Sequence, residues 1–255
     1  MAGAWVFYSV LPAWPWPQPR FVRIARFAPW IGLVIGALQA LLWLLTATWL
    51  TPLAQIALVM ALGLWLSGGL HADGVIDTAD GLAAGPRALE AMQDSRAGAA
   101  GVQAFAVLLL LRAAGLGALA ATSGAAVVAF ALVSVAVWGR ISPLLAIAWF
   151  PYLHQQGTAG FHRQGRQRLS RELRPALLLL ALLAALGLGL LPATLRLPLI
   201  LLLPALPALV VPLWLGRRLG GHSGDSYGAC VEWGETTALL LCGVLFSALQ
   251  ALAAA

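Results

Sequence analysis

Three aspartates, Asp73, Asp77 and Asp80, stand at i, i+4 and i+7 in the run from Gly68 to Gly81. On a helix this spacing points all three within a sector of about 60°. Like charges at i,i+4 repel one another, and near a bilayer they cost more, so the stripe calls for counter-charge. A divalent metal supplies it most directly, because magnesium (Mg2+) takes carboxylate oxygens and leaves positions for substrate phosphates. Asp94 becomes a fourth ligand if the chain reverses near Gly85-Pro86, so the expected metal set is Asp73, Asp77, Asp80 and Asp94. Small residues at Gly74, Ala79 and Gly81 let a substrate or a second helix come close. A merely solvated loop would give no reason for the helical phasing.

A second polar window spans 220–235, where Asp225 and Glu232, seven residues apart, share a helical face with Gly228 and Ala229 beside them. That face is a candidate pocket wall offering a metal ligand or a general base. Glu235 points elsewhere and is equally well explained as an interfacial acid before the last span. His222, three residues ahead of Asp225, is a candidate acid-base or phosphate contact. Ser95 and Arg96 follow Asp94, and Arg140 closes an apolar run. The planar fork of arginine suits phosphate oxygens, although lipid headgroups account for each arginine nearly as well. His71 lies about 160° from the aspartate stripe on a regular helix, which suits packing better than ligation. His154 and His162 show no ligand spacing.

The elements that position these residues are membrane helices. Of 255 residues 61% are apolar and only 9% charged, with a mean hydropathy of +0.89, too few charges to coat a soluble globule. Seven segments approach the 20 or so apolar residues needed to span as a helix: roughly 30–50, 52–70, 101–121, 125–150, 175–195, 197–215 and 236–255. The expectation is an all-α, polytopic integral membrane helical bundle of about seven transmembrane helices, forming a single transmembrane catalytic domain over 1–255. If the second span continues as a helix through this stretch it carries the aspartate stripe, although the Gly-rich region from 67 to 101 also punctuates the spans. The sixth holds Pro198, Pro204, Pro207 and Pro212, and is expected to be kinked or re-entrant, with neighbours satisfying the freed carbonyls.

All 15 basic residues are arginine, and the net charge of +6 follows from where they lie rather than from a nucleic-acid partner, none of which is expected. With the N-terminus inside, Arg20, Arg23, Arg26, Arg87, Arg96, Arg163, Arg166, Arg168, Arg171, Arg174, Arg217 and Arg218 are cytoplasmic and Arg196 alone is outside. The five arginines at 163–174 are explained by topology and anionic lipid. Both acidic windows then fall on the cytoplasmic face, where they can build one site although four spans separate them. Cys230 and Cys242 have no paired spacing, and no cleaved signal is expected at the apolar N-terminus.

The run His71-Ala72-Asp73-Gly74-Val75-Ile76-Asp77-Thr78-Ala79-Asp80-Gly81, followed by Met92-Gln93-Asp94-Ser95-Arg96-Ala97-Gly98, resembles the signature of the adenosylcobinamide-GDP ribazoletransferase (cobalamin synthase) family. Gly139-Arg140, the stretch from Gly224-Asp225 through Gly228-Ala229 to Glu232, and the Arg-Phe-x-Pro-x-x-Gly run starting at Arg26 are similar to it too. Gln93 stands where that family commonly has Lys, and Ile141 where it commonly has an aromatic residue. The resemblance implies a multi-pass enzyme of the bacterial cytoplasmic (inner) membrane, its active site on the cytoplasmic side. Its partners would be adenosylcobinamide-GDP, α-ribazole or its 5′-phosphate, and the lipid bilayer; homo-oligomers stay open. It further implies magnesium held by Asp73, Asp77, Asp80 and Asp94, with one of these carboxylates, Asp225 or Glu232 taking the proton of the attacking hydroxyl. Ser95, Arg96, Arg140, His222, Gly74 and Gly81 would face substrate.

A CDP-alcohol phosphotransferase is the nearest rival, but the Ala-Arg and final acid pair of its motif do not follow Asp77-Thr78-Ala79-Asp80-Gly81. A prenyltransferase would carry two aspartate-rich motifs. A membrane transporter would place charge at the midplane, and only Arg112 and the proline-rich sixth segment hint at that.

Overall fold

The computed structural model describes residues 1–13, 18–153, 168–190 and 196–254, so His154, His162, Arg163 and Arg166 lie outside the described residues. A short α1 (Ala2–Tyr8) precedes α2 (Ala28–Thr46), α3 (Pro52–Leu66), α4 (Leu70–Ala84) and the single turn α5 (Ala88–Ala91). Then follow α6 (Ala99–Thr122), α7 (Ala125–Trp149), α8 (Leu169–Leu190), α9 (Arg196–Leu202), α10 (Ala205–Leu219) and α11 (Gly224–Ala254). The described residues contain no strand, only an isolated bridge between Tyr152 and His222. Six stretches, Ile24–Thr46, Ala99–Thr122, Ala125–Trp149, Leu169–Leu190, Leu197–Leu219 and Gly224–Ala254, are long and apolar enough to cross a bilayer. The pair formed by α3 and Leu70–Ala91 makes up to a seventh. Leucines and tryptophans such as Leu53, Trp65, Leu110, Leu188 and Leu252 are exposed on the outside of the bundle, as befits a chain solvated by lipid. The protein is an all-α, multi-pass membrane protein.

Helix α3 does not continue into the aspartate stripe, which lies on its own helix α4 beyond the glycine punctuation. The chain bends by 89° between α3 and α4. The cause is the Gly68-Gly69 pair, whose φ values of 63° and 72° lie in the left-handed region that interrupts a helix. At the other end, α11 starts at Gly224 rather than near 236, so the second acidic window occupies the first turns of the last span itself.

Close crossings between helices rest on glycine. A Cβ on Gly32 or Gly36 would strike the α7 backbone, and one on Gly115 or Gly243 would do the same between α6 and α11. The proline-rich segment breaks between α9 and α10, in keeping with its prolines. Pro204 deprives the Ile200 carbonyl of its helical donor, and Ser134 Oγ of α7 donates to that carbonyl at 2.8 Å. Trp138 Nε1 donates to the neighbouring Leu201 carbonyl at 2.7 Å. Ser134→Ala is therefore expected to lower stability by about 1–3 kcal/mol, the cost of a buried carbonyl left unpaired, as read by thermal unfolding in detergent.

Candidate active site

The aspartate stripe is helical, on α4, and the chain reverses after it as its Gly85-Pro86 pair suggests. Met92 returns to pack on Gly81, where a Cβ would lie 2.5 Å from the methionine Cγ. Across from the stripe lies the start of α11. A Cβ on Gly74 would sit 2.3 Å from the Asp225 carbonyl oxygen, and Gly228 lies against the His71 backbone. Gly74 and Gly228 thus let two helices touch, and that contact brings the two acidic windows together. Gly74 and Gly81 are consequently not substrate contacts, since protein fills the space above each.

The carboxylates of the stripe have separate fates. Asp80 accepts hydrogen bonds from Gly98 N at 2.7 Å and Gly101 N at 2.8 Å, capping the N-terminus of α6 and docking α4 on it. Asp94 is exposed and clasped by its neighbour: Arg96 Nε and backbone N donate at 3.0 Å and Nη2 at 2.7 Å. This holds the Asp94 carboxyl down at about 2 through the hydrogen bonds from Arg96. Arg96 is otherwise 87% exposed, on an exposed loop with Ser95 that the Asp80–Gly98 bond ties beside the stripe. Asp73 and Asp77 form no ion pair among the described residues. Burial, then the charges of Asp73, Asp225 and Asp80, push the Asp77 carboxyl up to about 6. Asp225 itself accepts from Ser223 Oγ at 3.2 Å. No three His, Cys, Asp or Glu side chains among the described residues already converge closely enough to hold a metal. The carboxylates of Asp73 and Asp77, without an ion pair among the described residues, are nevertheless the donor chemistry of a hard cation, which needs only one or two carboxylates when substrate phosphates complete its shell.

Glu232 is not placed to act as a base. It is 4% exposed inside the bundle, and Arg112 Nη2 lies 2.7 Å from its Oε2, an ion-pair contact whose angle falls short of a hydrogen bond. The same guanidinium donates from Nη2 to the Glu232 carbonyl and from Nε to Thr236 Oγ1, both at 2.9 Å. Beside this pair Arg140 binds Glu235 and donates to the Ala136 carbonyl at 3.0 Å. Arg112 reaches Glu235 at 4.0 Å, so two arginines and two glutamates make one buried, charge-balanced quartet. Glu235, for which the sequence leaves a functional and an interfacial role equally open, and Arg112, noted there only as a hint of transport, are members of this quartet. The available signal was Arg112 itself, since a cation within an apolar helix requires an acid on a facing one.

His222 likewise departs from its expected role. It is completely buried, its Nε2 donates to the Pro212 carbonyl at 3.0 Å, and Nδ1 meets Ser226 Oγ at 2.9 Å. Its backbone pairs with Pro151 and Leu153, and burial pulls the ring down to about 4, so it stays neutral. It is a structural pin between α7, α10 and α11. His222→Ala is expected to cost about 3 kcal/mol, seen as a lower unfolding temperature with an unchanged pH profile of activity. His71, expected to pack, is indeed buried against Tyr8, with ring centroids 6.2 Å apart.

A cavity of about 110 Å3 opens beside the acids, with Asp73 and Asp225 among its lining, Arg140 and His71 in its walls, and Tyr8 and Tyr227 contributing rings.

Comparison with known proteins identifies the family. A family model described as cobalamin-5-phosphate synthase matches residues 1–243. Proteins called adenosylcobinamide-GDP ribazoletransferase from Prochlorococcus marinus strains MIT 9303 and MIT 9313 are 53% and 54% identical, each over 97% of this chain and 96% of the relative. One from Thermosynechococcus vestitus is 45% identical over 94% of this chain and 93% of its own. No solved structure matches. A match over nearly the whole chain, together with two acidic windows joined at one site, means that the chain belongs to the cobalamin-5-phosphate synthase family of membrane transferases.

Proposed function

We propose that the chain transfers the adenosylcobinamide phosphate group of adenosylcobinamide-GDP to α-ribazole or its 5′-phosphate, releasing GMP, at the cytoplasmic side of a bacterial inner membrane. The observation that carries this reading is the contact of Gly74 with Asp225, which brings the start of α11 against the helix that carries Asp73 and Asp77. Asp73 and Asp77 hold magnesium, which when bound supplies positive charge to the pyrophosphate and to the departing GMP. A ribose hydroxyl of the acceptor attacks the cobinamide-side phosphorus, forming a new P–O bond as the bond to the GMP oxygen breaks. Asp225, at the mouth of the cavity, takes the hydroxyl proton. Arg96 meets the outer phosphates, on the loop that Asp80 anchors. The arginine bias of the alternate loops in the sequence supports the cytoplasmic placement.

The test is to incubate membranes holding the protein with adenosylcobinamide-GDP, α-ribazole phosphate and magnesium and to measure GMP. Release that depends on all three supports the reading; none above an Asp77→Asn control removes it.

The raised Asp77 carboxyl adds a pH signature. Its proton is held more tightly in the folded protein than in the unfolded chain, where the ordinary value is 3.8. The associated stability is complete below pH 3.8 and is lost as pH rises through about 6. Metal-free protein is thus expected to unfold at a higher temperature at the acid end of that window than above it. Magnesium should raise the unfolding temperature more on the neutral side, where Asp77 is ionised.

A further inference from the structure

The cavity beside the acids has a wall whose charge is already spent. Arg140 is 3% exposed and its Nη1 is taken by Glu235 and Ala136. Its Nε is buried with no hydrogen-bond partner among the described residues. The Nδ1 of His71, another lining residue, is in the same condition. An unpaired buried donor is costly, so a ligand atom is the natural acceptor. The quartet to which Arg140 belongs is charge-balanced, which removes the electrostatic pull that a phosphate would require. The remaining lining is aromatic and aliphatic, from Tyr8, Tyr227, Pro143, Ile147 and Val231, with Asp73 and Asp225 also bordering the cavity. A larger, mostly apolar cavity of about 610 Å3 lies under Val75, Thr78, Ala79 and Leu82. Those residues occupy the side of α4 roughly opposite the aspartates, so a ligand there is cut off from the chemistry by the helix.

We infer that the smaller cavity is the subsite for the acceptor's base, a flat, uncharged nitrogen heterocycle whose free ring nitrogen accepts a hydrogen bond from Arg140 Nε. The inference rests on the transferase reading above and moves Arg140 from phosphate binding to recognition of the base. Seated in this way, the base presents its ribose toward Asp73 and Asp225. His71 Nδ1 is left as a second polar contact that selects among bases by their edge groups.

The test uses the full chain in lipid nanodiscs. Benzimidazole α-riboside, without donor or metal, is titrated by equilibrium dialysis against indole α-riboside, which has the same shape but a carbon in place of the free ring nitrogen. The indole compound is expected to bind at least about tenfold more weakly, the cost of leaving a charged donor unpaired. Equal affinity of the two compounds overturns the hydrogen bond. In the transfer assay, Tyr8→Ala is expected to raise KM for the acceptor about tenfold while the donor KM and kcat hold. A raised donor KM with the acceptor unaffected overturns the assignment, because the cavity then takes the donor. Wild-type protein that binds the benzimidazole riboside but releases no GMP defeats the transferase reading instead, so the two failures are distinct.

Discussion

Asp77→Asn is expected to cut GMP release on the order of 10²–10³-fold, the range seen when one preorganised electrostatic group is removed from an active site. The side chain is nearly isosteric, so the loss comes from charge. Stability should move the other way. Asp77 is crowded by Asp73, Asp225 and Asp80, and removing its charge relieves repulsion in the metal-free protein. The variant is expected to unfold at a higher temperature than the parent without metal and to gain less from added magnesium. Activity and unfolding measured on the same preparation check both halves. A variant that is inactive and also less stable would mark Asp77 as a structural residue and remove it from the metal-holding pair.

The second large effect concerns the buried quartet. Glu232→Ala leaves Arg112 without its partner inside the bundle, at an expected cost of about 3–5 kcal/mol. Adding Arg112→Met removes the stranded cation, and the double variant should regain most of the stability. It should also regain transferase activity, because the site is rebuilt without either charge. A double variant that folds like the parent yet releases no GMP would return Glu232 to the role of proton acceptor. Thermal unfolding and turnover across the four-member mutant cycle separate these outcomes.

What was legible in the sequence was periodic or local. The i, i+4, i+7 aspartates required a helix, and they lie on one. The small residue Gly74 announced the close approach of a substrate or a second helix, and a second helix it is: α11 meets it at Asp225, while Gly228 lies against His71. The prolines between 198 and 212 announced a kinked or re-entrant span whose freed carbonyls need other donors, and Ser134 and Trp138 of α7 supply them. What failed depended on the rotation of one helix against another. Glu232 shares a helical face with Asp225, but that face runs inward along α11 until it meets Arg112 on α6. Glu235 stood evenly between a functional and an interfacial role because it points away from Asp225, and that is the direction in which Arg140 lies. His222 stood close in sequence to an acid, yet the fold turned it toward Pro212. The Gly68-Gly69 pair was visible as punctuation; its 89° outcome was not, because a glycine pair permits a turn without fixing its angle.

That right-angled turn bears on how the enzyme meets its surroundings. Because the chain turns by 89° at Gly68-Gly69, the aspartate stripe lies on an axis nearly at right angles to α3, so a change in the tilt of α3 does not by itself stretch or compress the acidic patch. Mismatch with a thinner or thicker leaflet is absorbed at the glycine elbow. Turnover should therefore vary little with acyl-chain length in reconstituted vesicles.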